Sequence, residues 1–167
     1  ALGQAIHQSS GTAYNSLVVA DENTIVLAYQ GPNTDGFIKT FTVSANGADI
    51  TQVSAVEHAG SQGRYNSLIK MDGDTYLLAF ASPGDDGVLK TFTIPDDGSS
   101  ITVAASEEHN TSHGIWNSVV QVDYNTYALA YHGYDTNDEY GLIQTFTIPL
   151  DGSTITEVAS QKFATTA

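Results

Sequence analysis

The chain has 167 residues, 41% of them apolar, and a net charge of −14; this is enough for one domain with a real core and too apolar for disorder. So acidic a surface excludes nucleic acid and anionic membranes as partners, since both demand clustered Lys and Arg. Cysteine is absent, which removes disulfide scaffolds, thiol catalysis and cysteine metal sites, and no apolar run approaches the ~18 residues of a spanning helix.

Ala1 to Ala13 reads as an extra terminal strand. It matches the segment that precedes each later copy of a repeat: His7 stands seven residues before Tyr14, as His58 stands before Tyr65 and His109 before Trp116. The chain opens on Ala1 without a signal peptide, as a processed or trimmed product would. The repeat itself begins with Tyr14-Asn15-Ser16-Leu17, which returns as Tyr65-Asn66-Ser67-Leu68 and Trp116-Asn117-Ser118-Val119, at steps of 51 residues. A period in this range marks a repeat architecture. The divisions are 14–64, 65–115 and 116–167 within one repeat domain spanning 1–167.

The second copy shows the elements most plainly. Tyr65 to Met71 is a first strand, and Asp72-Gly73-Asp74-Thr75 a tight turn in which Asp accepts from backbone N–H groups. Tyr76 to Ala81 is the most apolar stretch and predicts a central strand buried on both faces. Ser82 to Gly87 is a polar loop, Val88 to Ile94 an alternating third strand, and Asp96 to Ser99 a turn. Ile101 to Ala105 is a weaker fourth strand, fit for an edge. In the other copies Thr24–Tyr29 and Thr126–Tyr131 are the matching central strands, and 37–43 and 141–148 the matching third strands. The Ala of each Leu-Ala-aromatic triplet is small, as expected where neighbouring sheets approach. The third copy carries three extra residues, because Phe41 to Phe92 is 51 positions and Phe92 to Phe146 is 54; they fall in the loop from Gly133 to Tyr140. Ile155 to Ser160 is the last fourth strand.

The set [Tyr/Trp]-Asn-Ser, Asp-x-x-Thr, Leu-Ala-[Tyr/Phe] and Thr-Phe-Thr-[Ile/Val] covers nearly the whole chain and resembles β-propeller blade repeats found in tandem in large secreted bacterial proteins. The resemblance implies an all-β fold of three four-stranded antiparallel blades. Closed propellers need ~4–8 blades, so three copies leave three outcomes: half of a six-bladed ring, part of a longer array, or a β-trefoil.

Function is best sought where the copies differ. In copy three, His132, Tyr134, Asp135, Asn137, Asp138 and Tyr140 gather in one loop, pairing aromatic faces with polar groups as sugar sites do. These six are the ligand-binding candidates, with a glycan as the expected ligand. The repeated Asn-Ser pairs are either channel-lining groups or caps for strand starts, capping being favoured. His7, His58 and His109 at equivalent positions raise a shared metal site, but in a propeller they lie far apart. The acidic loops around Asp35, Asp85 and Asp135 lack EF-hand spacing, so no metal or cofactor is expected. No Gly-x-Ser-x-Gly elbow, phosphate loop or His-Glu-x-x-His occurs. The expectation is therefore a non-enzymatic, extracellular or cell-surface binding module. The alternative is a structural subunit that self-assembles, as a homo-oligomer, through its redundant terminal strands.

Overall fold

The structure is a computed structural model and describes residues 11–134 and 139–165. Among the described residues, twelve strands form three separate four-stranded antiparallel sheets. The first holds β1 (Ala13–Val19), β2 (Thr24–Gln30), β3 (Gly36–Val43) and β4 (Ile50–Ala59), in that order. The second holds β5 (Arg64–Asp72), β6 (Thr75–Ala81), β7 (Gly87–Thr93) and β8 (Thr102–Asn110). The third holds β9 (Ile115–Asp123), β10 (Thr126–Tyr134), β11 (Glu139–Thr147) and β12 (Thr156–Thr165). Among the described residues, strands from different repeats never share a sheet, as a trefoil would require. These are propeller-type blades.

Turn chemistry closes the hairpins as the sequence requires. Asp21 Oδ1 accepts from Asn23 N at 3.0 Å and Thr24 N at 2.7 Å, so the carboxylate organises the β1–β2 turn. These backbone bonds hold its pKa below the ordinary carboxylate value. The fourth strands run further than their sequence suggests: β8 reaches Asn110 rather than Ala105. Most of their positions are exposed and are held by ladder bonding to the third strand.

The blades fan out from β1, β5 and β9, which lie side by side. Two seams result. Val26, Ala28 and Ile38 of blade one pack on Leu68, Tyr76, Leu78, Phe80 and Phe92 of blade two. Leu77, Ala79 and Leu89 from the other face of blade two pack on Val119, Tyr127, Leu129, Tyr131 and Phe146 of blade three. β6 is buried along its whole length because it feeds both seams; β10 alternates because only one of its faces is covered.

Polar bonds repeat from seam to seam. Leu68 N donates to Ser16 Oγ at 2.9 Å, and Val119 N donates to Ser67 Oγ at 3.1 Å. Thr40 Oγ1 donates to Gly98 O at 2.7 Å, and Thr91 Oγ1 donates to Gly152 O at 2.6 Å. Each glycine belongs to the 3–4 turn of the next blade, has positive φ, and is buried against threonines of the preceding one. A Cβ at Gly152 would stand 2.9 Å from Thr75 Cγ2 and 3.0 Å from Thr91 Cβ, so glycine is needed for the approach as well as for the turn.

Candidate functional site

Non-glycine residues with positive φ are costly, about 1–3 kcal/mol each, and gather where a structure needs an unusual geometry. Among the described residues they are Tyr14, Asn33, Thr34, Gln62, Tyr65, Asp85 and Trp116. All lie at one end of the molecule, where β1, β5 and β9 begin and the 2–3 loops and inter-blade linkers emerge. Three of them are the aromatic that opens each repeat, with φ of 53°, 54° and 58°. Each sits where a ladder register breaks or shifts: between Ala13 and Ser16, between Arg64 and Ser67, and between the partners of Ala130 and His132. The bulge turns the ring out of its own sheet.

The consequence is a continuous aromatic row. Tyr14 and Tyr65 have ring centroids 4.4 Å apart at 53°, and Tyr65 and Trp116 4.5 Å apart at 51°. Beside the rings lie Asn15, Asn66 and Asn117, and the six residues line an open depression of about 240 Å³. Asn66 Nδ2 donates to Gly63 O at 3.0 Å and to Tyr14 O at 3.2 Å; Asn117 Nδ2 donates to Gly114 O at 3.0 Å. The amides thereby fix the bulges. The carbonyl oxygen of Asn66 is buried with no partner among the described residues, whereas the Asn117 side chain is turned to the buried His109 ring. Arg64 pairs with Asp85 and donates to Gln62 Oε1 at 3.1 Å, while its guanidinium lies 5.8 Å from the centre of the Tyr65 ring. Burial raises the Tyr65 phenol pKa, so the hydroxyl stays protonated at neutral pH.

The Asn-Ser pairs thus divide their work. Asn holds the strand start, as capping predicts, and also faces the depression; Ser ties one blade to the next. The opening aromatic was legible as a landmark of the repeat but not as a site residue, because hydrophobic periodicity carries no sign of φ.

Of the six sequence candidates the structure describes three, and His132 lines a second depression together with Trp116. His132 and Tyr134 lie on β10 and Tyr140 on β11; the hairpin pairs Gly133 with Tyr140 and Tyr134 with Glu139, so the three extra residues lengthen the two strands. Asp135, Asn137 and Asp138 lie outside the described residues. The His132 ring is 5.2 Å from that of His113, its Nε2 lies 3.7 Å from Glu139 Oε2, and Lys162 Nζ lies 3.9 Å from the centre of the Tyr140 ring.

His58 and His109 occupy separate seams. His58 lies edge-on to Phe80 at 4.6 Å and His109 to Tyr131 at 4.7 Å, each ring pressed on two glycines: Gly36 and Gly63, or Gly87 and Gly114. Burial drives their pKa values down, to about 3 for His58 and about 4 for His109. They are neutral wedges. His7 lies outside the described residues. No cluster of three His, Asp or Glu suited to a metal exists among the described residues.

No family model matches the chain, and no curated protein matches it. Solved structures do. The periplasmic gluconolactonase of Pseudomonas aeruginosa superposes with a TM-score of 0.56 at 14% identity, over 90% of this chain and 58% of that one. The likeness shows the fold. The chain therefore spans just over half the length of that enzyme. No helix among the described residues is long and apolar enough to cross a membrane.

This comparison corrects the functional expectation drawn from sequence. A fold that carries an enzyme gives no ground for a non-enzymatic glycan-binding module or for a purely structural self-assembling subunit. That reading rests on missing catalytic motifs, and a missing motif says nothing of groups that the fold brings together from separate repeats. The loop-bearing end does supply unlike neighbours to equivalent residues: Arg64 flanks Tyr65, where Ala13 and Ile115 flank Tyr14 and Trp116.

Proposed function

We propose that the loop-bearing end is a small-molecule site that takes a flat hydroxylated ring of the sugar-lactone class, in a protein that works outside the cytoplasm. The observation that carries this reading is the row of Tyr14, Tyr65 and Trp116, three aromatics held at positive φ beside three asparagines. Aromatic faces suit the C–H faces of a saturated ring, and amide groups suit its hydroxyls. The Asn66 oxygen, unpartnered among the described residues, is an acceptor that a ligand hydroxyl would satisfy. The lactone class comes from the gluconolactonase that shares the fold. Its periplasmic location and the charge of −14 support the placement outside the cytoplasm.

Trp116 is the only tryptophan in the chain, so its fluorescence reports on this site alone. Titration with glucono-1,5-lactone is expected to give a saturable change that Tyr65→Gly weakens at least tenfold. Acid release above the spontaneous rate, followed in the same samples, reports turnover. A flat titration to millimolar lactone together with no acid release refutes the proposal.

A further inference from the structure

The two seams share their core packing but not their margins at the loop-bearing end. Between blades two and three the margin is filled by polar side chains that bond one another and the backbone. Asn110 Nδ2 donates to Tyr131 Oη at 3.1 Å, Ser112 Oγ donates to Tyr134 O at 3.2 Å, and Gln144 Nε2 donates to His109 O at 3.3 Å. Between blades one and two, the counterparts of Asn110 and Tyr131 are Ala59 and Phe80, which bring neither amide nor hydroxyl. The counterpart of Gln144 is Lys90, whose ammonium donates to His58 O. The smaller, apolar side chains leave an open cavity of about 400 Å³ at this margin, walled by the end of β4, the linker that follows it, and strands β6 and β7.

Lys90 is a half-buried cation on the wall of this cavity, with its Nζ 5.5 Å from the centre of the Phe80 ring. Arg64 pairs with Asp85 and Lys70 with Asp96, but among the described residues no carboxylate pairs with Lys90. Burial pulls its pKa below the ordinary lysine value, as expected of a charge short of water and of counter-charge. One of its three N–H donors goes to His58 O, so two are left. His58, only 3% exposed, lines the same cavity, and both its ring nitrogens lack a hydrogen-bond partner among the described residues. Phe80, Pro83 and Val88 give the cavity an apolar side. We infer that this cavity binds a small organic carboxylate, its charge held by Lys90 and His58 and its carbon body laid on Phe80, Pro83 and Val88. A single compact ammonium suits a monoanion, whereas a phosphate dianion calls for more donors, of the Arg-fork kind, than this wall carries. Neutral His58 adds one N–H for the second carboxylate oxygen. The chain's charge of −14 repels anions at a distance, so the attraction is local and comes from an ammonium held partly out of water.

The test is isothermal titration calorimetry of the chain with sodium benzoate, with benzamide as its neutral match and inorganic phosphate as a second anion. Benzoate is expected to bind saturably in the millimolar range, at least tenfold more tightly than either. Lys90→Gln brings in the residue that stands at the equivalent place in blade three, where Gln144 bonds His109 O, so the variant is expected to keep its fold by circular dichroism and to bind benzoate at least tenfold more weakly. Lys90→Arg keeps the charge and is expected to keep the binding. The double variant Ala59→Asn with Phe80→Tyr rebuilds the filled margin while leaving Lys90 in place, and is expected to lose benzoate as Lys90→Gln does. A flat benzoate titration to tens of millimolar overturns the inference. So does equal binding of benzamide, tighter binding of phosphate, or a Lys90→Gln chain that binds benzoate as the native chain does. Tyr65 does not line this cavity, so Tyr65→Gly is expected to bind benzoate normally; loss of benzoate there would assign the binding to the aromatic row and overturn the inference. The carboxylate site and the lactone site thus stand or fall separately.

Discussion

Replacing Thr91 by Val tests what fastens the blades. Thr91 is fully buried, and its hydroxyl does two things: it donates to Gly152 O at 2.6 Å across the seam, and it accepts from Ala105 N at 2.9 Å within its own blade. The second bond exists because the β7–β8 register shifts at Thr91 and Phe92. Valine keeps the shape but leaves a carbonyl and an N–H unpaired in a buried place. Each orphan costs about 1–3 kcal/mol, so the expected loss is about 3 kcal/mol. Thr40→Val removes the same two bonds, to Gly98 O at 2.7 Å and from Ser54 N at 3.0 Å, and carries the same expectation. Thr145→Val touches no filled seam in the single chain and is expected to change stability by less than about 0.5 kcal/mol. Urea unfolding followed by far-ultraviolet circular dichroism, at dilution sufficient to keep chains single, measures all three; the midpoint should move without a change in slope. Equal losses for Thr91→Val and Thr145→Val would refute the seam as the cause.

Three further outcomes follow from the packing. His58 and His109 stay neutral in the fold down to about pH 3 and 4, but their unfolded counterparts protonate near 6.5, so stability is full above pH 6.5 and falls as pH drops toward 3. His58→Phe, which installs the residue that Phe163 supplies in blade three, is expected to shrink that slope by about 1.4 kcal/mol per pH unit between pH 6 and 4, read from urea midpoints across pH. Gly63→Ala puts a Cβ 2.2 Å from Gly36 Cα, backbone against backbone, and is expected to cost about 3 kcal/mol, whereas Gly47→Ala strains only its own φ and costs about 1 kcal/mol by the same assay. Tyr65→Gly removes ring packing but also relieves a positive φ, so thermal unfolding should place it within about 1 kcal/mol of the native chain while lactone binding is lost.

The blades were legible because their causes are local. An apolar run such as Tyr76–Ala81 must be covered on both sides, Asp21 must close a turn, and Ala28 and Ala79 must be small where sheets meet. The extension of β8 to Asn110 was not legible, since Ser106, Glu107 and Glu108 show no apolar alternation and rest on ladder bonds to β7. The site was half legible. Tyr-Asn-Ser was conspicuous as a repeated phrase, but its repetition argued for architecture, and only backbone geometry shows the ring swung from its sheet.

The threonine–glycine fastening has a consequence for how such chains change length. Every unit brings its own peg on one side and its own socket on the other, and both are spelled out within about fifty residues. Duplicating a unit in the gene therefore inserts a blade whose borders fit its neighbours at once, with no compensating substitution elsewhere. The count of blades is consequently free to drift by whole copies, and what holds it at a given value is the angle at which successive sheets splay.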